Sequence, residues 1–333
     1  MQHNMQHKAR IVGIGSYLPE NILSNSDLEK MVETSDEWIS VRTGIKERRI
    51  ASPEEAASDM GLVAAERALK KSGKRAEEID FILVATSTPD YIMPTTACLI
   101  QARLKALHAA ALDIKAACSG FIYAFSMAKA WIESGRYANI LIVAPEKISS
   151  IMDYKDRNTC VLFGDGAAAC VVSNQGQGLF IRDVRLGADG ENSKLLIIPG
   201  GGSKHPSSFD TVSANLHCLK MEGKEVFKHA VRRMESSIKE CLDHLHLSEN
   251  EISWFIPHQA NARIIDALAD RFKIPSERII KTLHKYGNTS ASSVGIALDE
   301  FLQENKLFLK ENIILTAFGA GLAWGSTVLT YDE

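Results

Sequence analysis

Along the 333 residues, continuous apolar runs alternate with stretches whose apolar positions recur every three or four places. "IDFILVATS" (79–87) and "ANILIVAPE" (138–146) are unbroken runs, the pattern of strands buried on both faces. Ser52-Pro53-Glu54-Glu55 reads as a helix entry, continued by Ala64, Ala65, Ala68 and Leu69 and stopped by "KSGK". "PTTACLIQARL" (94–104) predicts a helix, "AAALDIKAAC" (109–118) a strand and "SGFIYAFSMAKAWIESG" (119–135) another helix. Alternation of this kind predicts a largely parallel α/β architecture.

The order recurs after about residue 178. "GKEVFKHAVRRMESSIKECLDHL" (223–245) places Phe227, Val231, Met234, Ile238, Cys241 and Leu245 on one helical face. "ISWFIPHQAN" (252–261) predicts a strand and "ARIIDALADRF" (262–272) a helix. The segment 279–302 passes from extended chain to helix, and "NIILTAFGAGLAWGSTVLTY" (312–331) ends as a strand pair turning at Gly319 to Gly321. The chain therefore reads as one unit duplicated, residues 1–177 and 178–333, divided within "SNQGQG".

Composition narrows the class. With 45% hydrophobic and 24% charged residues the chain can bury a large core, and a net charge of −3 gives no general affinity for nucleic acid. Six cysteines without a CxxC pair fit a reducing cytoplasm, and "HLH" at 244–246 reads as a solvated helix end, not a metal site. The opening "MQHNMQHKAR" lacks the apolar stretch of a signal peptide, and no run of membrane-spanning length is present.

Cys118 falls at a strand-to-helix corner. A helix N-terminus offers unpaired N–H groups and a positive dipole end, which favour a thiolate and hold an oxyanion. The alternative is a small, inert, buried cysteine. His258 and Asn288 also fall where strand-like segments give way to helices. Each taken singly reads equally as a satisfied histidine and an ordinary glycine turn. Three polar residues in equivalent corners of duplicated halves point instead to a site, since parallel α/β folds build sites at the C-terminal ends of strands.

The motifs "AACSGF", "PHQAN", "YGNTSASS" and "FGAGLAWG", in this order, resemble the 3-oxoacyl-[acyl-carrier-protein] synthase III family. "SDEWISVRTGIKERR", "DRNTCVLFGDGAAA", "EVFKHAV" and "IVGIGSYLP" extend the resemblance over essentially the whole chain. It implies a thiolase-like, five-layered αβαβα fold made from two duplicated halves and working as a homodimer. It implies the condensation of acetyl-CoA with malonyl-acyl carrier protein to acetoacetyl-acyl carrier protein, CoA and carbon dioxide, without metal or cofactor.

By the same resemblance Cys118 carries the acyl group, while His258 and Asn288 stabilise the enolate left by decarboxylation. The backbone N–H groups of Cys118 and Ala320 form the oxyanion hole; many relatives have Gly in place of Ala320. Trp38, Arg42, Arg157, Phe227, Asn261 and Arg263 are implied to bind CoA. Lys228, Arg263 and Arg271, with Arg232 and Arg233, are implied to dock the acidic carrier protein, although Asp270 beside Arg271 departs from a purely basic patch. Met93 stands where relatives often carry a Phe that closes the partner's acyl pocket; a core side chain is the alternative. The segment 200–218 looks longer than in typical relatives.

Related enzymes fit less well. Hydroxymethylglutaryl-CoA synthases place a Glu in the turn where this chain has Ser87 and Thr88, and elongating synthases use a second His in place of Asn288. Chalcone synthase-like enzymes are longer. A non-catalytic scaffold would not require Cys118, His258 and Asn288 together.

Overall fold

The computed structural model describes residues 7–332; the first six residues of the opening segment and Glu333 lie outside them. Nine strands form one sheet: β1 (Arg10–Tyr17), β2 (Phe81–Ala85), β3 (Ala110–Ile114), β4 (Asn139–Glu146), β5 (Gly166–Ser173), β6 (Gly178–Ala188), β7 (Ile252–Pro257), β8 (Asn312–Gly319) and β9 (Ala323–Asp332). Their spatial order is β7-β8-β9-β6-β1-β5-β4-β2-β3. The main helices are α1 (Asp36–Thr43), α2 (Ala57–Ser72), α3 (Thr96–Leu104), α4 (Gly120–Glu133), α5 (Gly223–Leu245), α6 (Ala262–Arg271) and α7 (Ser293–Glu304).

One strand order occurs twice. In the first part β2 runs parallel to β4, β4 antiparallel to β5, and β5 antiparallel to β1. In the second, β7, β8, β9 and β6 repeat the same relations. The two meet through β1 and β6, where Arg10 pairs with Phe180 and Ile11 with Leu179. The edge strand β3 has no full counterpart; a single bridge from Phe255 to Ile279 stands in its place.

The sheet is mixed, not largely parallel: only β2/β3, β2/β4 and β7/β8 are parallel pairs. The reason is connection length. β8 returns to β9 through the turn of residues 320–322, too short for the crossover that parallel strands need. Helix α2 also starts later than the sequence suggests. Ser52 to Glu55 form a turn, and Asp59 caps the helix by accepting the Ala56 N–H at 2.7 Å.

Apolar packing produces five layers. Met60, Ala64 and Ala68 of α2 cover one outer face, against Val143, Ala169 and Val171. Val231, Met234 and Ile238 of α5 and Leu268 of α6 cover the other, against Phe255, Ile314 and Val328. Between the two strand sets, Phe121 and Phe125 of α4 meet Val294, Leu298 and Phe301 of α7 in a fully buried centre. α4 and α7 each begin at the same internal edge, which brings the corner at Cys118 against the segment after Asn288.

Candidate active site

Cys118 sits in a single 3-10 turn, Ala117–Ser119, that runs directly into α4. Ala117 reaches this corner only by adopting φ +45°, a left-handed conformation unusual for a residue with a Cβ. Gly319, the last residue of β8, presses on the same corner. A Cβ there would lie 2.6 Å from the Cys118 nitrogen, so only glycine admits this approach. The turn of Ala320 to Leu322 follows immediately, and Ala320 packs against the cluster of Ile148, Met152 and Phe163.

The helix end does not leave Cys118 as a ready thiolate. The residue is 7% exposed, and burial pushes its thiol up to about 12, opposed by the Ser290 hydroxyl lying against it. Desolvation outweighs the dipole at this site.

His258 extends β7 by one residue, its N–H bonding to the Thr316 carbonyl of β8 at 2.7 Å. Burial lowers its pKa to about 3, so the ring is neutral. Its Nδ1 lies 2.6 Å from the Ser293 Oγ at the start of α7. Gln259 fixes the following loop, donating to the Pro257 carbonyl at 2.6 Å and accepting the Thr282 N–H at 2.8 Å.

Asn288 is buried and pinned at three points. Its N–H bonds the Leu162 carbonyl at 2.8 Å, its carbonyl accepts the Gly164 N–H at 3.1 Å, and its Oδ1 accepts the Ser290 N–H at 2.8 Å. With Oδ1 occupied, Nδ2 is the group offered to the site. The chain reaches Asn288 through the short helix Leu283–Tyr286, not the extended strand that the sequence suggests.

Cys118, His258 and Asn288 line one cavity of about 740 Å³, which also reaches Trp38, Arg42, Phe227, Lys228, Asn261 and Arg263. The Arg42 and Arg157 guanidiniums stand 4.5 and 5.0 Å from the Trp38 ring centre, a cationic aromatic cluster. Asn261 caps α6 by accepting the Arg263 N–H at 2.9 Å. Arg157 is not among the lining residues and stands against Trp38, which is.

Of the basic residues expected to dock the carrier protein, Lys228 and Arg263 line the cavity and the others do not. Lys228 is exposed and paired with Glu225 at 2.7 Å, while Arg271 is paired with Glu235. Arg233 is held by Asp189 at 2.9 Å and stacks over Trp324, while Arg232 is exposed. Met93 is 84% exposed, which removes the core alternative. The segment 200–218 carries a short exposed helix, Phe209–Ser213, and just beyond it Lys220–Met221 pairs with Leu196–Ile197 at the cavity wall. Among the described residues no cluster of His, Cys, Asp and Glu could hold a metal ion.

Sequence reasoning missed three polar groups behind the site. Glu146 ends β4 fully buried and accepts from Ser87 N–H at 3.0 Å, Thr88 Oγ1 at 2.9 Å and Ser290 Oγ at 2.9 Å. Ser290 has φ +54°, a second left-handed residue at the corner. Ser293 holds His258. The available signal was a carboxylate closing the apolar run "ANILIVAPE".

Residues 112–190 match the family described as 3-oxoacyl-[acyl-carrier-protein (ACP)] synthase III, and residues 242–331 match its C-terminal family. The chain is 57% identical over 327 residues to the beta-ketoacyl-[acyl-carrier-protein] synthase III of Chlamydia caviae, covering 98% of both. It is 53% identical over 326 residues to that of Caldanaerobacter subterraneus subsp. tengcongensis, again covering 98% of both. The solved 3-oxoacyl-[acyl-carrier-protein] synthase III of Aquifex aeolicus superposes with a TM-score of 0.89 at 47% identity, covering 97% of this chain and 100% of that one. With the thiolase-type layering and the buried cysteine site already described, these likenesses show that the chain belongs to the 3-oxoacyl-[acyl-carrier-protein] synthase III family of condensing acyltransferases.

Proposed function

We propose that the enzyme works through an acyl-Cys118 intermediate. The reaction is the condensation that initiates fatty acid synthesis, an acyl transfer joining an acetyl unit to a carrier-bound chain. Acetyl-CoA enters past Trp38 and Arg42, and the Cys118 sulfur takes the acetyl group while CoA leaves as the thiol. Malonyl-acyl carrier protein then uses the same passage. Loss of carbon dioxide leaves an enolate, whose oxygen accepts from His258 Nε2–H and Asn288 Nδ2–H. The enolate carbon attacks the acetyl thioester, with the Cys118 and Ala320 N–H groups holding its oxygen, and the Cys118 sulfur departs.

One observation carries this reading: a thiol, a neutral imidazole and an amide, from distant segments, line one cavity that Trp38 and Arg42 also line. Neutral donors suit a site where negative charge appears and disappears, because neither has to change protonation state. Phe227, Asn261, Arg263 and Arg157 complete the CoA site, and Lys228, Arg263 and Arg271 receive the carrier protein.

A second copy completes the assembly. β3 ends the sheet with an unpaired edge, and Tyr91, Ile92, Met93, Leu107 and Leu112 are exposed beside it, as expected of a face covered in a homodimer. The repeated strand order supports two duplicated halves divided at 177/178, since β6 opens at Gly178. Six free cysteines favour a reducing cytoplasm.

Radiolabelled acetyl-CoA tests the central claim. Stoichiometric label on the protein, blocked by prior alkylation of Cys118, is expected. Turnover without a protein-bound label would overturn the acyl-enzyme. Sedimentation of the chain as a monomer would remove the dimer.

A further inference from the structure

Cys118 must lose its proton to attack a thioester, yet burial holds it as a thiol. His258 is no base for it. The Ser293 Oγ accepts the Gln259 N–H at 3.4 Å, and among the described residues Nδ1 is the acceptor within reach of its own hydrogen, which leaves the ring hydrogen on Nε2, a donor. The Ser290–Ser292 turn packs instead against the turn of Cys118, and its Ser290 hydroxyl donates to the Glu146 Oε1 at 2.9 Å.

We propose that Ser290 and Glu146 form a proton relay that carries the thiol hydrogen away from Cys118 during acyl transfer. The proposal rests on the acyl-enzyme reading above. As the bond from Sγ to the acetyl carbon forms, the S–H proton passes to Ser290 Oγ, and the Ser290 proton passes to Glu146. When the bond from carbon to the CoA sulfur breaks, its electron pair stays on that sulfur. The proton then returns through Ser290 to the departing thiolate. Acetyl and one proton have changed places, and Glu146 is a carboxylate again.

The geometry supports each part. The other polar contacts of Glu146 are also donors: the Ser87 N–H at 3.0 Å, Thr88 Oγ1 at 2.9 Å and Thr86 Oγ1 at 3.3 Å. Donors around a carboxyl favour its ionised form, while burial raises the Glu146 pKa above the ordinary range and strengthens it as a base. Ser290 is held in the left-handed region at φ +54°, with its N–H tied to Asn288 Oδ1 at 2.8 Å. Strain of this kind, directly between nucleophile and carboxylate, marks a hydroxyl positioned for a purpose. The titratable groups at the corner are Cys118, Glu146 and the neutral His258. Lys147 turns away, its ammonium on the Ser52 and Glu55 carbonyls.

A passive carboxylate would have the opposite consequence. The negative charge of Glu146 raises the thiol pKa, so removing it would free the thiolate and speed attack. The sign of the effect therefore separates relay from bystander.

Rapid-quench transfer of labelled acetyl from acetyl-CoA should be measured for wild type, Glu146→Gln and Ser290→Ala between pH 6 and 9.5. Ala at 290 keeps the backbone demand of Ser, so this variant stands if Glu146→Gln fails to fold. In both variants transfer at neutral pH should fall about a hundredfold. It should then rise about tenfold per pH unit as free thiolate forms, whereas wild type stays nearly flat. Decarboxylation of malonyl-acyl carrier protein, which needs no thiol proton, should persist in both. Variants that label at the wild-type rate, or a Glu146→Gln that labels faster, overturn the relay alone. So does parallel loss of labelling and decarboxylation, which would mark a structural role. A wild type that takes no label overturns the acyl-enzyme and the relay together.

Discussion

His258 Nδ1 and the Ser293 hydroxyl oxygen lie 2.6 Å apart, and the Gln259 N–H reaches the same oxygen at 3.4 Å. The serine thus decides which ring nitrogen carries hydrogen, and Nε2–H faces the cavity. Ser293→Ala should lower malonyl decarboxylation about ten- to a hundredfold, the cost of one misdirected buried hydrogen bond. Acetyl transfer onto Cys118 should change little. Measuring the two half-reactions separately checks this, and equal losses in both would remove Ser293 from a role in the enolate step.

The half-reactions should also divide among the three central residues. Cys118→Ser is expected to abolish acetyl labelling of the protein. His258→Ala and Asn288→Ala should keep much of the labelling but lose decarboxylation by about a hundred- to a thousandfold. Wild-type decarboxylation in either of the last two variants would refute its assigned role.

At the cavity mouth, Lys228→Glu should raise KM for malonyl-acyl carrier protein while leaving acetyl transfer from CoA intact. Its present partner Glu225, at 2.7 Å, already offsets part of the Lys228 charge, so the effect should be severalfold. Salt should reproduce it in wild type, because exposed charges are screened within about 10 Å at 0.1 M. An unchanged KM at low salt would exclude Lys228 from the dock.

Met93, 84% exposed in the single chain, should line the partner's acyl pocket in a dimer. An extra methylene in such a pocket is worth about 1 to 3 kcal/mol, so primer choice should be graded. Acetyl-CoA should be a good primer, with propionyl- and butyryl-CoA retaining appreciable activity. Met93→Phe should reduce butyryl-CoA more than acetyl-CoA, and Met93→Ala should favour longer primers. Equal changes in kcat/KM for the two primers, in both variants, would place Met93 elsewhere.

Acid should weaken the fold through His258. Its folded pKa, near 3, lies below that of an unfolded histidine, so below about pH 6.5 the unfolded chain binds a proton that the native one refuses. Stability from this residue is complete above that pH and falls by about 1.4 kcal/mol per unit beneath it. Glu146 and Asp165, both raised by burial, act in the reverse sense, lending stability at low pH that is lost as pH rises. The comparison is therefore made against His258→Gln. Between pH 7 and 5, denaturant titration should show wild type losing about 2 kcal/mol more than the variant. Identical losses would mean that the native imidazole is protonated.

Local pattern exposed much of this site. Cys118 and His258 follow predicted strands, and Asn288 precedes a predicted helix, so periodicity alone located the three corners. Trp38 and Arg42 have no periodic signal and came through family resemblance. Ser290 and Glu146 were invisible because they meet across 144 positions of chain. The thiol was misjudged for the same reason. A helix end is read locally, whereas the desolvation of Cys118 comes from tertiary packing, with Gly319 pressed against it. Sheet polarity failed where short returns such as residues 320–322 replaced crossovers.

If both thioester donors reach Cys118 past Trp38 and Arg42, as proposed, they share one passage. The enzyme can therefore hold only one pantetheine arm at a time. CoA has to vacate before the carrier protein's arm enters, which makes the kinetics ping-pong and turns each donor into a competitor for the form that should receive the other. Abundance of malonyl-acyl carrier protein would then slow the unacylated enzyme. Chain initiation becomes responsive to the ratio of the two thioesters, with no separate regulatory site required.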